Sequence, residues 1–304
     1  MLITIISNLQ SNKGLSVDCR LVRGLLEEWG HTITEWDFRS TQLPLTADLN
    51  IFLEVVVPFF FSSAQRNWLF VNPEWVVEDY IPHLPRLDKI LCKTRYAERL
   101  LSPKYPEQVF YTGFIAEDHL DSEIYKSRIF FHNAGDSIIR GTDELIQAWE
   151  KYKFSYPLII ASQNHHGPST NPNIKFVGRL ERQELLDKQN SCLFHVLMSE
   201  SEGFGHSLHE GLGCSAIVIT TNAAPMAEFW GCPKELMAEP VSSYKLRMAD
   251  AYKVSADNIA IAVERTWYLN SDFIKLYQQQ AREYFLQTNG TFKENFKRLI
   301  DEIC

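Results

Sequence analysis

The stretch from Cys192 to Thr221 sets two carboxylates on either side of a glycine pair, where a strand-like apolar run hands over to a helical pattern. The run Cys192 to Leu197 leads into Ser199-Glu200-Ser201-Glu202-Gly203-Phe204-Gly205-His206-Ser207-Leu208-His209-Glu210. Gly203 and Gly205 flank Phe204 where a helix should start, so backbone N–H groups could approach a ligand with no Cβ in the way. That suits an anion or an array of sugar hydroxyls. Glu202 precedes the turn and Glu210 lies about two helical turns along, a separation of roughly one sugar-diphosphate-ribose unit. One carboxylate could accept hydrogen bonds from hexose hydroxyls and the other from ribose. The spacing alone is not diagnostic, because Glu27 and Glu35 share it. The full combination weighs more: apolar strand, acid, Gly-Phe-Gly, helix with a second acid, then the small-residue strand Cys214 to Thr221. Against it stands the plain alternative of one helix-capping and one solvated glutamate.

Strands and helices alternate along the chain to position these residues. Leu2 to Ser7 reads as a strand, Asn8 to Gly14 as a polar loop, and Val17, Leu21, Val22, Leu25 and Leu26 as one helical face ended by Gly30. His31 to Trp36 and Asn50 to Val57 read as further strands, the chain turns near Asn72-Pro73-Glu74-Trp75, and Lys89 to Cys92, Thr94 to Leu101 and Val109 to Tyr111 close a first unit. The pattern restarts with Ile129 to His132, a helix Thr142 to Tyr152, strands Leu158 to Ala161 and Ile174 to Val177, a helix Glu181 to Gln189, and strands Cys192 to Leu197 and Ala216 to Thr220. The tail predicts three helices: Ala256 to Leu269, Asp272 to Gln287 capped by Ser271, and a last one opened by a Thr291/Glu294 capping box. The expected architecture is α/β, two Rossmann-like doubly wound domains facing a cleft, with ligands at the carboxyl ends of strands. The expected division is 1–118, 119–287, and a terminal helix 288–304 packing back on the first domain.

At 304 residues, 45% hydrophobic and 22% charged, the chain suits a two-domain globular protein. The net charge of −8 argues against a phosphate-backbone grip on nucleic acid and against a polybasic membrane patch. Six scattered cysteines, without short paired spacing, argue against a zinc site or a disulfide framework. Met1 runs into a strand with no signal-peptide pattern, and the apolar run Val55 to Phe61 is short and holds Pro58, so the expectation is a cytoplasmic protein without a transmembrane segment, a peripheral membrane position remaining open.

Ser201 to Glu228 resembles the donor-site signature of family-4 glycosyltransferases, in which an acid, a Gly-Phe-Gly turn and a second acid precede a small-residue strand and a Pro-x-x-Glu loop, here Pro225-Met226-Ala227-Glu228. Phe131 to Thr142 is similar to that family's Gly-Arg/Lys-Ser-x-x-Lys-Gly-Thr segment, and Val177-Gly178-Arg179-Leu180 to its turn near the base. The resemblance implies a GT-B fold and a retaining hexosyltransferase-like enzyme of glycan biosynthesis, without metal or other cofactor. It would move a sugar from a nucleoside diphosphate sugar to a glycan, lipid-linked or small-molecule hydroxyl acceptor. In this reading Arg140 pairs with the leaving diphosphate and Glu202 binds the donor sugar, as the catalytic pair. Glu210 takes the ribose, the Gly203 to Gly205 amides take sugar or phosphate, and Gly14, Ser137, Arg179, Phe204 and His206 complete the donor contacts. A departing diphosphate must be neutralised, and without a metal this falls to a guanidinium and helix N-termini.

Two departures from the family stand out. Asp136 occupies a position where a second base is usual, which would place a negative charge near the diphosphate; either Arg179 or Lys13 compensates, or the donor is held differently, or activity is reduced, and Ala227 replaces a more usual polar residue. His132, His206 and His209 could touch substrate, though packed or solvated histidines are the plainer reading, and His165-His166 reads as surface. Pro58 to Phe61 could be an acceptor-side or membrane-facing patch, with core packing the simpler account. Competing functions are a sugar-nucleotide epimerase of the same fold and a catalytically weak sugar-nucleotide-binding partner protein.

Overall fold

A computed structural model describes residues 1–10, 14–165 and 167–304. The chain divides into two compact units: Met1–Ile115 with Lys245–Ala249 and Thr288–Cys304, and Ala116–Tyr244 with Asp250–Gln287.

The first unit is built on β1 (Leu2–Ser7), α1 (Gly14–Glu28), β2 (Thr32–Asp37), β3 (Ala47–Leu53), β4 (Ala64–Val71), β5 (Lys89–Cys92), α2 (Arg95–Leu101) and β6 (Val109–Tyr111). The strands form one parallel sheet in the order β2-β1-β3-β4-β5-β6. Central strands of such a sheet are covered on both faces, which accounts for the nearly continuous burial along β1 and β3, the polar Thr4 and Asn50 included. Strand β4 has no counterpart in the sequence reading, because its first half, Gln65-Arg66-Asn67, is polar. Asn67 is nevertheless buried: it stands opposite Asn50 of β3, accepts that side chain's Nδ2 at 3.1 Å, and donates its own Nδ2 to the Phe61 carbonyl at 3.1 Å. A buried amide is tolerated when its bonds are made across the strand pair. Phe60 and Phe61 enter the core from a short 3-10 turn, Pro58–Ser63, while Phe59 stays exposed.

The second unit contains β7 (Ser127–Gly135), α3 (Thr142–Tyr152), β8 (Leu158–Ser162), β9 (Ile174–Phe176), α4 (Arg182–Ser191), β10 (Cys192–Leu197), α5 (His206–Gly213), β11 (Ile217–Thr220) and α6 (Ala256–Trp267), while the strands β12 (Pro240–Leu246) and β13 (Ala249–Val254) and the helix α7 (Ser271–Asp301) each have residues in both units. Its parallel sheet runs β11-β10-β7-β8-β9. The chain builds outward from β7 through β8 and β9, then returns to add β10 and β11 on the other side. The order therefore reverses between β7 and β10, and a crevice opens beyond the carboxyl ends of those two strands.

Two tail expectations are corrected. Residues 240–254, unassigned from sequence, form a two-stranded hairpin whose first strand is largely exposed and polar. The two terminal helices are one, α7, so Thr291 is an interior residue and the Asn289-Gly290-Thr291 segment is not a helix start. Its buried residues Tyr277, Ala281, Tyr284, Phe285, Phe292, Phe296, Leu299 and Ile300 keep helical spacing through Gly290, and that continuous face outweighs one glycine costing about 1 kcal/mol.

Candidate active site

The loops that follow β7 and β10 meet at the reversal point of the second sheet. Glu200 N donates to the Ile139 carbonyl at 2.9 Å and so joins the two loops. Gly141, at φ 64, caps α3, and a Cβ there would lie 2.6 Å from the Met198 carbonyl oxygen. Only glycine combines that left-handed backbone with so close an approach. On the other side Tyr252 N donates to the Glu200 carbonyl at 2.8 Å, and the Tyr244 hydroxyl donates to its carboxylate. Burial first, and this bond second, push the Tyr244 phenol up to about 12, so it remains a donor. Thr221 Oγ1 donates to the Ser199 carbonyl at 2.8 Å and ties in the end of β11.

At the centre of this cluster Arg140 Nη1 lies 2.8 Å from Glu202 Oε1, both side chains mostly buried. The contact is off the line of a hydrogen bond, and Nη1 has no other hydrogen-bond partner among the described residues. Ser199 Oγ donates to the same Glu202 oxygen at 2.7 Å. Ser201 Oγ is likewise buried without a partner among the described residues. Buried donors left unmatched are costly, and a ligand oxygen would satisfy them. Gly205, at φ 83, opens α5, and a Cβ there would sit 2.9 Å from Leu208 Cδ1.

No protein-family model matches the chain. It is 28% identical over 149 residues to an uncharacterized glycosyltransferase of Methanocaldococcus jannaschii, a match covering 46% of this chain and 42% of that protein, so less than half the relative's length is represented. Among solved structures, sucrose-phosphate synthase from Thermosynechococcus elongatus superposes with a TM-score of 0.74 over 100% of this chain and 99% of its own, at 11% identity. Anabaena HepE in complex with UDP and glucose gives 0.68 over 99% and 100%, also at 11% identity. The fold is GT-B.

Within this GT-B chain the remaining expected site residues are spread more widely. Ser137 is half-buried, and its Oγ accepts from Ile139 N at 3.4 Å. The backbone carbonyl of Asp136 accepts Asn164 Nδ2 at 2.9 Å, which ties the loop after β7 to the loop after β8. His206 is half-buried at the first position of α5, and Gly203 is buried. The Phe204 ring is also buried, stacked on His209 at 3.9 Å, so what this residue can offer a ligand is backbone. Arg179 is exposed and makes no ion pair among the described residues. Gly14 is the first residue of α1 in the other unit, and Lys13 lies outside the described residues.

His132 is a core residue: Nδ1 is 2.7 Å from the Val196 carbonyl and Nε2 2.8 Å from Thr142 Oγ1, which clamps β7 to β10 and to the start of α3. Burial holds it neutral, at about 4. His209 is equally buried, 3.1 Å from the Gly205 carbonyl. His165 bridges Ser162 and Asp143, while His166 lies outside the described residues. Among the described residues no cluster of three His, Cys, Asp or Glu is arranged to hold a metal, and no helix is long and apolar enough to cross a membrane. A surface recess of about 480 Å³ between α3 and α6 is lined by Gln147, Glu150, Lys151, Ser255, Ala256 and Asp257, none of them from the loops after β7 and β10.

Sequence reasoning missed Ser199, Tyr244 and Gln189, whose Nε2 donates to Oε2 of the expected ribose ligand Glu210 at 2.7 Å. Ser199, three residues before Glu202, could have been found by asking what fixes that carboxylate. The other two are distant in sequence and carry no local signal.

Proposed function

We propose that the chain is a retaining, metal-independent glycosyltransferase that takes a sugar from a nucleoside diphosphate sugar and passes it to a hydroxyl acceptor. The supporting observation is the Arg140–Glu202 pair at 2.8 Å, which joins two segments that separately resemble the donor motifs of family-4 glycosyltransferases. The ligand in the HepE complex, a nucleoside diphosphate with a hexose, suggests which donors to try first.

In this mechanism the diphosphate takes the guanidinium of Arg140, a charge-assisted contact stronger than a neutral hydrogen bond. Glu202, still held by Ser199, then turns its oxygens to the sugar hydroxyls. The C1–O bond to the diphosphate breaks as charge builds on its oxygens, stabilised by Arg140 and by the amides of Gly203 to Gly205. The acceptor oxygen bonds C1 on the same face, and its proton passes to the departing phosphate oxygen. Glu210 holds the ribose, while Ser137, His206 and Arg179 complete the donor contacts.

A panel of nucleoside diphosphate sugars, with and without sugar acceptors, tests this by product analysis. The expected outcome is transfer with retained configuration that survives EDTA and falls by about 10²–10³-fold in Arg140→Ala. Conversion of the donor with no acceptor present would instead assign an epimerase, and full activity in Arg140→Ala would overturn the assigned roles.

A further inference from the structure

Glu210 is not left to solvent. Its Oε2 accepts Gln189 Nε2 at 2.7 Å, and Gln189 Oε1 lies 3.0 Å from His119 Nδ1. His119 Nε2 lies 3.1 Å from Glu117 Oε2, which also accepts Arg182 Nη2 at 3.0 Å. Gln189 is 1% exposed and the His119 side chain 5%. Gln189 therefore has a carboxylate on one side and an imidazole nitrogen on the other, with little water to substitute for either.

The donor pattern from Glu210 to His119 Nδ1 is forced. An ionised carboxylate only accepts, so the Gln189 amide must turn its NH₂ to Glu210, and its carbonyl then requires a proton on His119 Nδ1. The histidine is placed independently of the ligand. Asn190 Nδ2 donates to the His119 carbonyl at 2.7 Å, Asp121 N donates to Asn190 Oδ1 at 2.9 Å, and Arg282 grips Asp118 at 2.6 and 2.7 Å while donating to the Gly213 carbonyl at the end of α5. Segment 117–121 is thus tied to the end of α4 and to the far end of the helix that carries Glu210. Glu210 Oε1 has no hydrogen-bond partner among the described residues.

We propose that Gln189 and His119 are positioning residues that hold the Glu210 carboxylate, with Oε2 occupied and Oε1 presented, for the vicinal hydroxyls of the donor's ribose. The inference rests on the donor-site reading above and adds the residues that set ribose specificity. Unsupported, a glutamate on an exposed helix face samples several rotamers, and each immobilised side chain then weakens binding. Locked in place, it gains from a ribose and gains nothing from a dideoxyribose.

Calorimetry tests this with UDP, GDP and ADP, followed by the 2′,3′-dideoxy form of whichever binds best. The native protein should favour the ribo form by about tenfold to a hundredfold, the range for hydrogen bonds to a charged group. In Gln189→Leu and in His119→Leu that ratio should fall below about threefold. In His119→Asn, whose Nδ2 can stand where Nδ1 stood, it should be largely restored. Should Gln189→Leu not fold, the two His119 variants decide, with circular dichroism confirming that each is native. A ratio unchanged from the native protein in His119→Leu would overturn the proposal, since a merely structural role lowers both affinities together. Binding of none of the three nucleotides would overturn the donor-site reading itself and the proposal with it.

Discussion

Acidification from pH 7.5 to pH 5 should remove roughly 6 kcal/mol of the stability of the second unit, before most of its carboxylates protonate. His132, His195 and His209 are all fully buried there, and burial lowers them to about 4, about 3 and about 3. Their few favourable contacts, with the carbonyls of Val196, Gln189 and Gly205, offset only part of that cost. Each histidine takes up a proton near 6.5 once unfolded and stays neutral while folded. The unfolded state therefore binds more protons, and stability is complete above about 6.5 and lost as pH falls toward the folded values. At pH 5 each contributes about 2 kcal/mol of destabilisation, roughly 6 kcal/mol together, against a total stability of about 5–15 kcal/mol for an ordinary domain. The slope of the unfolding free energy should approach about 4 kcal/mol per pH unit, which urea titrations at half-unit intervals would resolve. Hydrogen exchange of β10, which carries His195, gives the local measure. Replacing His132 with Asn, which can still donate to Val196, should reduce the slope by about a third. A stability at pH 5 within about 1 kcal/mol of that at pH 7.5 would refute the account of three neutral buried histidines.

Gly141→Ala should cost about 1–2 kcal/mol for its left-handed backbone alone, and the contact with Met198 must then push aside the loop carrying Arg140. Thermal melts would register the first effect, and a fall in turnover larger than the stability change explains would register the second. Lys93→Met takes the cation from a buried cluster, where Nζ lies 2.5 Å from Asp18 and 3.8 Å from Glu54, and should cost about 3–5 kcal/mol by denaturant unfolding. Glu202→Ala should abolish sugar transfer and lower stability by about 1–3 kcal/mol in thermal melts, because the fully buried Ser199 hydroxyl and the buried Nη1 of Arg140 both lose their carboxylate partner.

Helix α3 and strand β10 occupy the residues their patterns indicate, since α3 repeats its apolar positions at helical spacing and β10 is a short, nearly continuous apolar run buried on both faces. Periodicity failed where tertiary partners overrule local preference. Strand β4 is hidden by polar residues, of which the buried Asn67 is made acceptable by Asn50 and the Phe61 carbonyl, the β12–β13 hairpin has little apolar patterning, and α7 runs through Gly290 because its buried face continues on both sides.

The candidate site divides the same way. The glycine turn, the paired acids and Arg140 are visible in the chain as local motifs, because each depends on the conformation of a few consecutive residues. That Arg140 and Glu202 face each other depends on β7 and β10 being neighbours although 62 residues separate the two side chains, a consequence of the reversed strand order. That Glu210 is held through Gln189 by His119, and Glu200 by Tyr244, depends on helices and a hairpin packing against that sheet. Local sequence sets backbone preference and periodicity; which side chains then share a hydrogen bond is settled by the burial of whole elements, a property of the assembled core.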